Sequence, residues 1–295
     1  HLIWKNQVFQ INFKTKVIQM ILGIDIGGTT TDIVCFKGKK AEGFLSVKAD
    51  DPVTSASGAL GKFVNHQKIS LQQIEAVAVT GVGAKALGDN LFGIPILQTD
   101  EFEAIGLGGL YLSKVDKAIV VSMGTGTALV EADGLQQKHL GGTGVGGGTL
   151  IGLAKYMIGV SDFDTLLEMA ENGSLYNVDL SIADITLGEI GNLPPDATAS
   201  NFGKHNDKAN ANDLALGIIN LVSQTIGMMS IFASRQNGYK KVVLTGKVVK
   251  VPQTRKIFDN LKSMFGVDFI IPEHAEFSTA VGAAYAQVLR KDKNE

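Results

Sequence analysis

The sequence predicts an α/β protein of two similar halves. Three observations predict it. Asp25-Ile26-Gly27-Gly28-Thr29-Thr30-Thr31-Asp32 and Met123-Gly124-Thr125-Gly126-Thr127 carry the same glycine-threonine chemistry in well-separated parts of the chain, and each follows a short apolar run. A third glycine block, Gly141-Gly142-Thr143-Gly144-Val145-Gly146-Gly147-Gly148-Thr149, runs into a helix-like stretch at Leu150 to Ile158.

In chain order, residues 1–19 carry Lys5, Lys14 and Lys16 without the apolar core or cleavage site of a signal peptide, and read as an extension ahead of the fold. Val8, Phe9, Ile11 and Phe13 could instead pair as an added edge strand. Ile18 to Ile26 is an apolar run of strand length and Thr31 to Lys37 is β-branched, so the glycines between them predict a tight strand-to-strand turn. Glycine lets the backbone approach an anion and point successive N–H groups at it, while Thr29 and Thr30 add hydroxyl donors. Asp25, ending the first strand, then faces the phosphates as a ligand for Mg2+; the alternative is an ordinary glycine hairpin with Asp25 as a solvated cap.

Ala76 to Thr80 predicts a strand ending at Gly81-Val82-Gly83, Ala84 to Leu91 has helical composition, and Ile94 to Leu97 leads to the acidic segment Asp100-Glu101-Phe102-Glu103-Ala104. Ala118 to Met123 and Ala128 to Glu131 predict strands flanking the second turn, so one chain builds the same device twice. The third block precedes a helix whose first amides could meet phosphate or ribose. It also contains a formal G-x-G-x-x-G at Gly142, Gly144 and Gly147, but Gln136 to Leu140 ahead of it is mostly polar, unlike the hydrophobic strand a dinucleotide fingerprint requires. A P-loop is excluded, since no G-x-x-x-x-G-K-[ST] occurs.

Ser161 to Glu171 and Leu180 to Glu189 read as helical, Pro194-Pro195-Asp196 as a loop, and the polar Asn201 to Asn212 as a mobile lid or linker. Leu214 to Ala233 is apolar but interrupted by Asn220, Ser223, Gln224 and Ser230, which fits a buried or dimer-facing helix better than a membrane span. Strands follow at Lys241 to Gly246 and Phe269 to Pro272, and a Ser or Thr cap opens the closing helix at Phe277 to Ala284.

Duplicated α/β halves clamping a nucleotide between matching hairpins resemble the actin-like ATPase and sugar kinase architecture, with ribonuclease H-like domains at 20–113 and 114–295. Thr125-Gly126-Thr127, Gly141-Gly142-Thr143-x-x-Gly146-Gly147-Gly148, Asp25-x-Gly27-Gly28-Thr29 and Asp100-Glu101-Phe102-Glu103-Ala104 together resemble the type II, eukaryotic-like pantothenate kinases from Ile21 to Arg290. The resemblance implies ATP and Mg2+ as cofactors, pantothenate as acceptor, Glu101 as the catalytic base, and a homodimer. Glu101 taken without the family match reads as a surface acid beside Asp100 and Glu103. The resemblance also places Gly124, Phe163 and Gly246 with the nucleotide, and His139, Ala128 and Gly142 with the acceptor.

Departures from the pattern cluster at these positions. Asp32 stands where the family usually closes its first turn with Lys, and a carboxylate there repels a triphosphate unless it binds metal or turns away. Ala128 replaces a serine that contacts pantothenate, and Lys247 is bulkier than the small residue expected after Gly246. His139 replaces an arginine resembling a carboxylate clamp, so a two-donor fork of permanent charge becomes one donor of partial charge; His139 could equally be a half-exposed loop residue.

Composition agrees. A chain of 295 residues, 45% hydrophobic, can bury a large core, and a net charge of −2 provides no basic surface for nucleic acid. The single cysteine, Cys35, rules out a disulfide framework and fits the cytosol, which leaves the Asn172-Gly173-Ser174 sequon incidental. The sequence therefore predicts a cytoplasmic ATP-dependent kinase for pantothenate; the alternatives are a kinase for another small alcohol and an ATP-binding regulator of the same fold.

Overall fold

Residues 19–186, 193–204 and 206–294 are described in the computed structural model. The apolar and β-branched segments of the first part form a six-stranded sheet: β1 (Met20–Ile26), β2 (Thr30–Lys37), β3 (Lys40–Lys48), β4 (Ile74–Thr80), β5 (Asn90–Leu91) and β6 (Ile94–Gln98), in the order β3-β2-β1-β4-β6-β5. β1 to β3 make an antiparallel meander, and after helix α1 (Pro52–Gln67) β4 adds in parallel beside β1. β1 lies mid-sheet with both faces covered, which is why it reads as a continuous apolar run. Asp51 starts α1, its carboxylate accepting from the Thr54 amide at 2.8 Å, with Pro52 preset at the first helical position.

Helix α2 (Glu101–Ser113) leads to a second sheet: β7 (Lys117–Met123), β8 (Thr127–Asp133), β9 (Gln136–Thr143), β12 (Lys241–Thr245) and β13 (Asp268–Ile270), in the order β13-β12-β7-β8-β9. Between β9 and β12 lie α3 (Gly147–Ile158), α4 (Phe163–Glu171), the small pair β10 (Leu180–Ser181) and β11 (Thr198–Ser200) with α5 (Ile182–Ile185) between them, and α6 (Ala211–Gln236). α7 (Pro252–Phe265) joins β12 to β13, and α8 (Ser278–Asn294) closes the chain. Again three antiparallel strands are extended by parallel strands beside the first, so the duplication visible in the turns extends to the topology.

Helices α2 and α8 are exchanged between the halves. Ile105 and Leu110 of α2 pack on Ala118, Val120 and Val130 of the second sheet, while Ala280, Val281 and Ala284 of α8 pack on Ile21, Val34 and Ala78 of the first. The two helices cross at glycines. A β-carbon on Gly108 would fall within the van der Waals shell of the Ser278 carbonyl, and one on Gly282 within that of the Ala104 carbonyl. The chain passes between sheets at 114–116, and the closing helix then returns to the first.

Several elements differ from expectation. The edge strand proposed for Val8 to Phe13 lies outside the described residues, as do Leu187 to Glu189 and His205. Ala84 to Leu91 forms one 3-10 turn at Ala84–Ala86 and then β5, because Gly88, Asp89 and Asn90 favour turns over a helix too short to nucleate. Leu180 and Ser181 form strand β10 where a helix was expected, since β11 offers them a pairing partner. Gln136 to Leu140 is a strand after all, an edge strand whose solvent face explains its polarity. Asn201 to Asn212 is pinned rather than lid-like: Asn201 and Phe202 donate to Asp179, Asn206 to Asn177, and Asn210 caps α6. Ser278 is already helical and buried, so it does not cap α8. α6 has the length and apolarity of a membrane span, yet Ile218, Ile219, Val222 and Ile226 lie in the core of the second half.

Candidate active site

The pairing of β1 with β2 sets Asp25 directly opposite Asp32 and closes the first turn with the Gly27 amide donating to the Thr30 carbonyl at 3.0 Å. Gly81, at φ +88°, ends β4 beside it. A side chain at Gly81 would collide with the Asp25 carboxylate and the Ile26 carbonyl, so this glycine keeps the aspartate clear. Sequence reasoning took Gly81-Val82-Gly83 only as a strand end; its signal was a glycine directly after a strand parallel to β1.

The two predicted turns meet. The exposed hydroxyls of Thr29 and Thr125 are 3.1 Å apart, and Gly28 lies beside Thr125. The third glycine block packs on the second turn instead of presenting free amides: the Gly147 amide donates to the Gly124 carbonyl at 2.8 Å, Gly148 to Thr125 at 2.9 Å, and Gly146 to the Thr149 hydroxyl at 3.1 Å. A β-carbon on Gly146 would lie 2.6 Å from the Thr125 carbonyl oxygen, so the glycines serve backbone-to-backbone contact between α3 and the turn. Thr127 is buried and donates to the Val145 carbonyl at 2.8 Å, which leaves Thr125 and Thr29 as the hydroxyls facing outward. Gly246, at φ +86°, brings the end of β12 against Met123, where any side chain would meet the Met123 backbone.

This geometry selects the variant that tests the turn. A β-carbon on Gly126 would come 3.0 Å from the Thr143 carbonyl oxygen, whereas one on Gly124 has its nearest neighbour at 3.9 Å. Gly124→Ala should therefore fold like the parent and lose ATP affinity by roughly tenfold or more, because the added methyl blocks close backbone approach to phosphate. Calorimetric titration measures it, and a folded variant with unchanged affinity would remove the turn from the site.

Charge concentrates at the first turn. Burial, then the carboxylates of Asp32 and Glu101, push Asp25 up to about 7, with Lys247 opposing. Asp32 is buried and accepts from the Lys247 ammonium at 2.9 Å; burial still holds its carboxyl above the ordinary value against the pull of Lys247 and Ser46. The two departures noted in the sequence are thus neighbours: Lys247, reaching from the second half, neutralises Asp32 in the first.

Glu101 is the first residue of α2, placed there by Asp100, which accepts from the Phe102 and Glu103 amides at 3.0 Å. Burial, then the Asp100 charge, raise the Glu101 carboxyl above its ordinary value. Phe102 stacks on His139 with ring centroids 3.8 Å apart and 11° between planes, which places His139 of β9 against the first turn of α2. Ala128 and Gly142 face each other across β8 and β9, and a β-carbon on Gly142 would lie 2.5 Å from the Thr127 carbonyl oxygen. Phe163 opens α4 and packs against the core of the second half. Ser46, Phe102 and Gly81 were absent from the predicted site.

Residues 116–286 match the family model described as Fumble. Type II pantothenate kinase of Staphylococcus haemolyticus (strain JCSC1435) is 29% identical over 279 residues, covering 90% of this chain and 99% of that protein. The same enzyme of Staphylococcus aureus (strain MRSA252) is 30% identical over 277 residues, covering 90% and 99%. Among solved structures, the activator of 2-hydroxyisocaproyl-CoA dehydratase from Clostridium difficile with bound ADPNP superposes with a TM-score of 0.67 at 19% identity, over 94% of this chain and 98% of that one. A ROK family glucokinase from Streptomyces griseus in complex with glucose and AMPPNP superposes with a TM-score of 0.56 at 12% identity, over 90% and 98%. These structures share the duplicated actin-like fold; the family model and the near-full-length relatives go further, and the chain belongs to the Fumble family, that of the type II pantothenate kinases.

Proposed function

We propose that this chain transfers the γ-phosphoryl group of ATP to the primary hydroxyl of pantothenate, the first step toward coenzyme A. The observation that carries the reading is the meeting of the two glycine-threonine turns at Thr29 and Thr125 beside the acids Asp25 and Glu101, in a chain that aligns over 90% of its length with a type II pantothenate kinase. The turns hold the phosphates, and Glu101 accepts the proton of the attacking hydroxyl. Gly27, Gly28, Thr30, Gly126 and Gly246 shape the nucleotide cleft in this reading, and Gly146 to Gly148 support it from behind.

The acid cluster suits a hard cation. Asp25 sits opposite a second carboxylate and retains its proton to about 7, and the described residues hold no group of three or more acids, His or Cys that could cage a metal. Such a site fits Mg2+ held by one carboxylate together with phosphate oxygens. Asp25 would hold that ion, which would neutralise phosphate charge. A cytoplasmic location and a small-molecule acceptor follow from the same reading. Self-association into a homodimer belongs to the same reading.

The His139 ring has one face covered by Phe102 and makes no hydrogen bond among the described residues, which leaves its nitrogens free for an acceptor carboxylate. ATP turnover stimulated by pantothenate is the expected result; turnover indifferent to it points to another hydroxyl substrate, and tight binding without turnover to a regulator. His139→Ala should raise the KM for pantothenate more than it lowers kcat, and His139→Arg should tighten binding by about 1 to 2 kcal/mol. Equal constants in all three proteins would take His139 away from the acceptor.

A further inference from the structure

Asp32 lies across from Asp25 in register, and two carboxylates directly opposite on paired strands repel. The arrangement is resolved from outside the sheet. The 3-10 turn Lys247–Lys250 after β12 sends Lys247 from the second half to the first, where its ammonium donates to Asp32 Oδ1 at 2.9 Å and to Ser46 Oγ at 2.8 Å. Asp32 and Ser46 are themselves partners across β2 and β3, so they form a rigid two-point seat for the cation. An ammonium has three N–H donors, and the third has no partner among the described residues. Asp32 is buried while the lysine side chain keeps 36% of its surface open, so the seat is closed and the cation is not.

We propose that Lys247 is a phosphate-binding residue, seated by Asp32 and Ser46 so that its remaining N–H meets the phosphate chain of the nucleotide held at the first turn. The inference rests on the reading of Gly27 to Thr30 as a phosphate turn. It explains why a buried carboxylate is tolerated there: Asp32 orients a cation supplied by the other half, and a nucleotide touching both halves completes that ion's donors. Asp32 and Ser46 are positioning residues. Lysine serves phosphate as a compact charge, and the hydrogen-bonded Asp32 carboxylate and Ser46 hydroxyl behind it remove the freedom of a long side chain that binding would otherwise have to restrict.

The test compares affinities for adenosine, ADP and ATP, measured by calorimetry on the full chain without acceptor. The wild type should favour ATP over adenosine. Lys247→Gln combined with Asp32→Asn removes both charges together, so no buried carboxylate is left unpaired and the fold should persist; its preference for ATP over adenosine should fall at least tenfold with adenosine affinity unchanged. Asp32→Asn alone keeps the cation but loosens its seat, and should fall between. A double variant that retains the wild-type preference overturns the proposal, as does one that loses adenosine and ATP affinity equally, the signature of a contact that only braces the halves. A wild type that binds adenosine and ATP equally would instead overturn the phosphate-turn reading, and this inference with it.

Discussion

Glu101→Gln should lower turnover by roughly 10²-fold or more while leaving ATP affinity in place. The amide keeps the shape and some hydrogen bonding of the side chain, so helix α2 and its Asp100 cap should be undisturbed. What disappears is the carboxylate proposed to take the hydroxyl proton. The pH profile carries independent information. A base works deprotonated, and burial followed by the Asp100 charge raises the Glu101 carboxyl, so the acid limb of kcat/KM should lie above the ordinary glutamate range, near 4.5. Asp100→Asn still caps the helix but removes the charge, and should move that limb to lower pH. Steady-state kinetics across pH measures both. Near-normal turnover in Glu101→Gln would make Glu101 structural and leave the acid cluster around Asp25 without a catalytic base.

Gly282→Ala should destabilise the protein by about 3 kcal/mol or more, with the denaturant midpoint as the readout. The new methyl would overlap the Ala104 carbonyl and approach the Gly108 amide to 2.7 Å, and both are helix backbone that cannot rotate away. α2 and α8 would have to separate. Because Glu101 stands at the start of α2 and α8 lies against β1, the displacement would reach the Glu101 carboxylate and the strand that carries Asp25. Gly61→Ala supplies the contrast. That glycine lies on the exposed side of α1 with nothing within 4 Å of the added carbon, so the same chemical change should stabilise by roughly 0.5 to 1 kcal/mol through helix propensity. If Gly282→Ala matched Gly61→Ala, the close helix crossing would not exist in solution.

Local chemistry by itself determined the two glycine-threonine turns, the strands around them and the start of α2. Each depends on residues adjacent in the chain: glycines between apolar strands, hydroxyls beside them, and Asp100 ahead of a helix. The same locality misled at Ala84 to Leu91, where composition favoured a helix and turn residues with a strand partner prevailed. It also left the amides of Gly147 and Gly148 looking free, because their acceptors, the Gly124 and Thr125 carbonyls, are identified only when α3 docks. Tertiary structure decided the rest. Asp32 and Lys247 read as separate anomalies because they lie 215 residues apart, and nothing periodic or local links a lysine after one strand to an aspartate on another. Folding brings them to 2.9 Å, where desolvation makes an unpaired carboxylate costly and a partner effective. The exchange of α2 and α8 is of the same kind: both helices are apolar on their buried faces, and close packing of Gly109 on Val120 and of Gly23 under Ala280 ties α2 to the second sheet and α8 to the first.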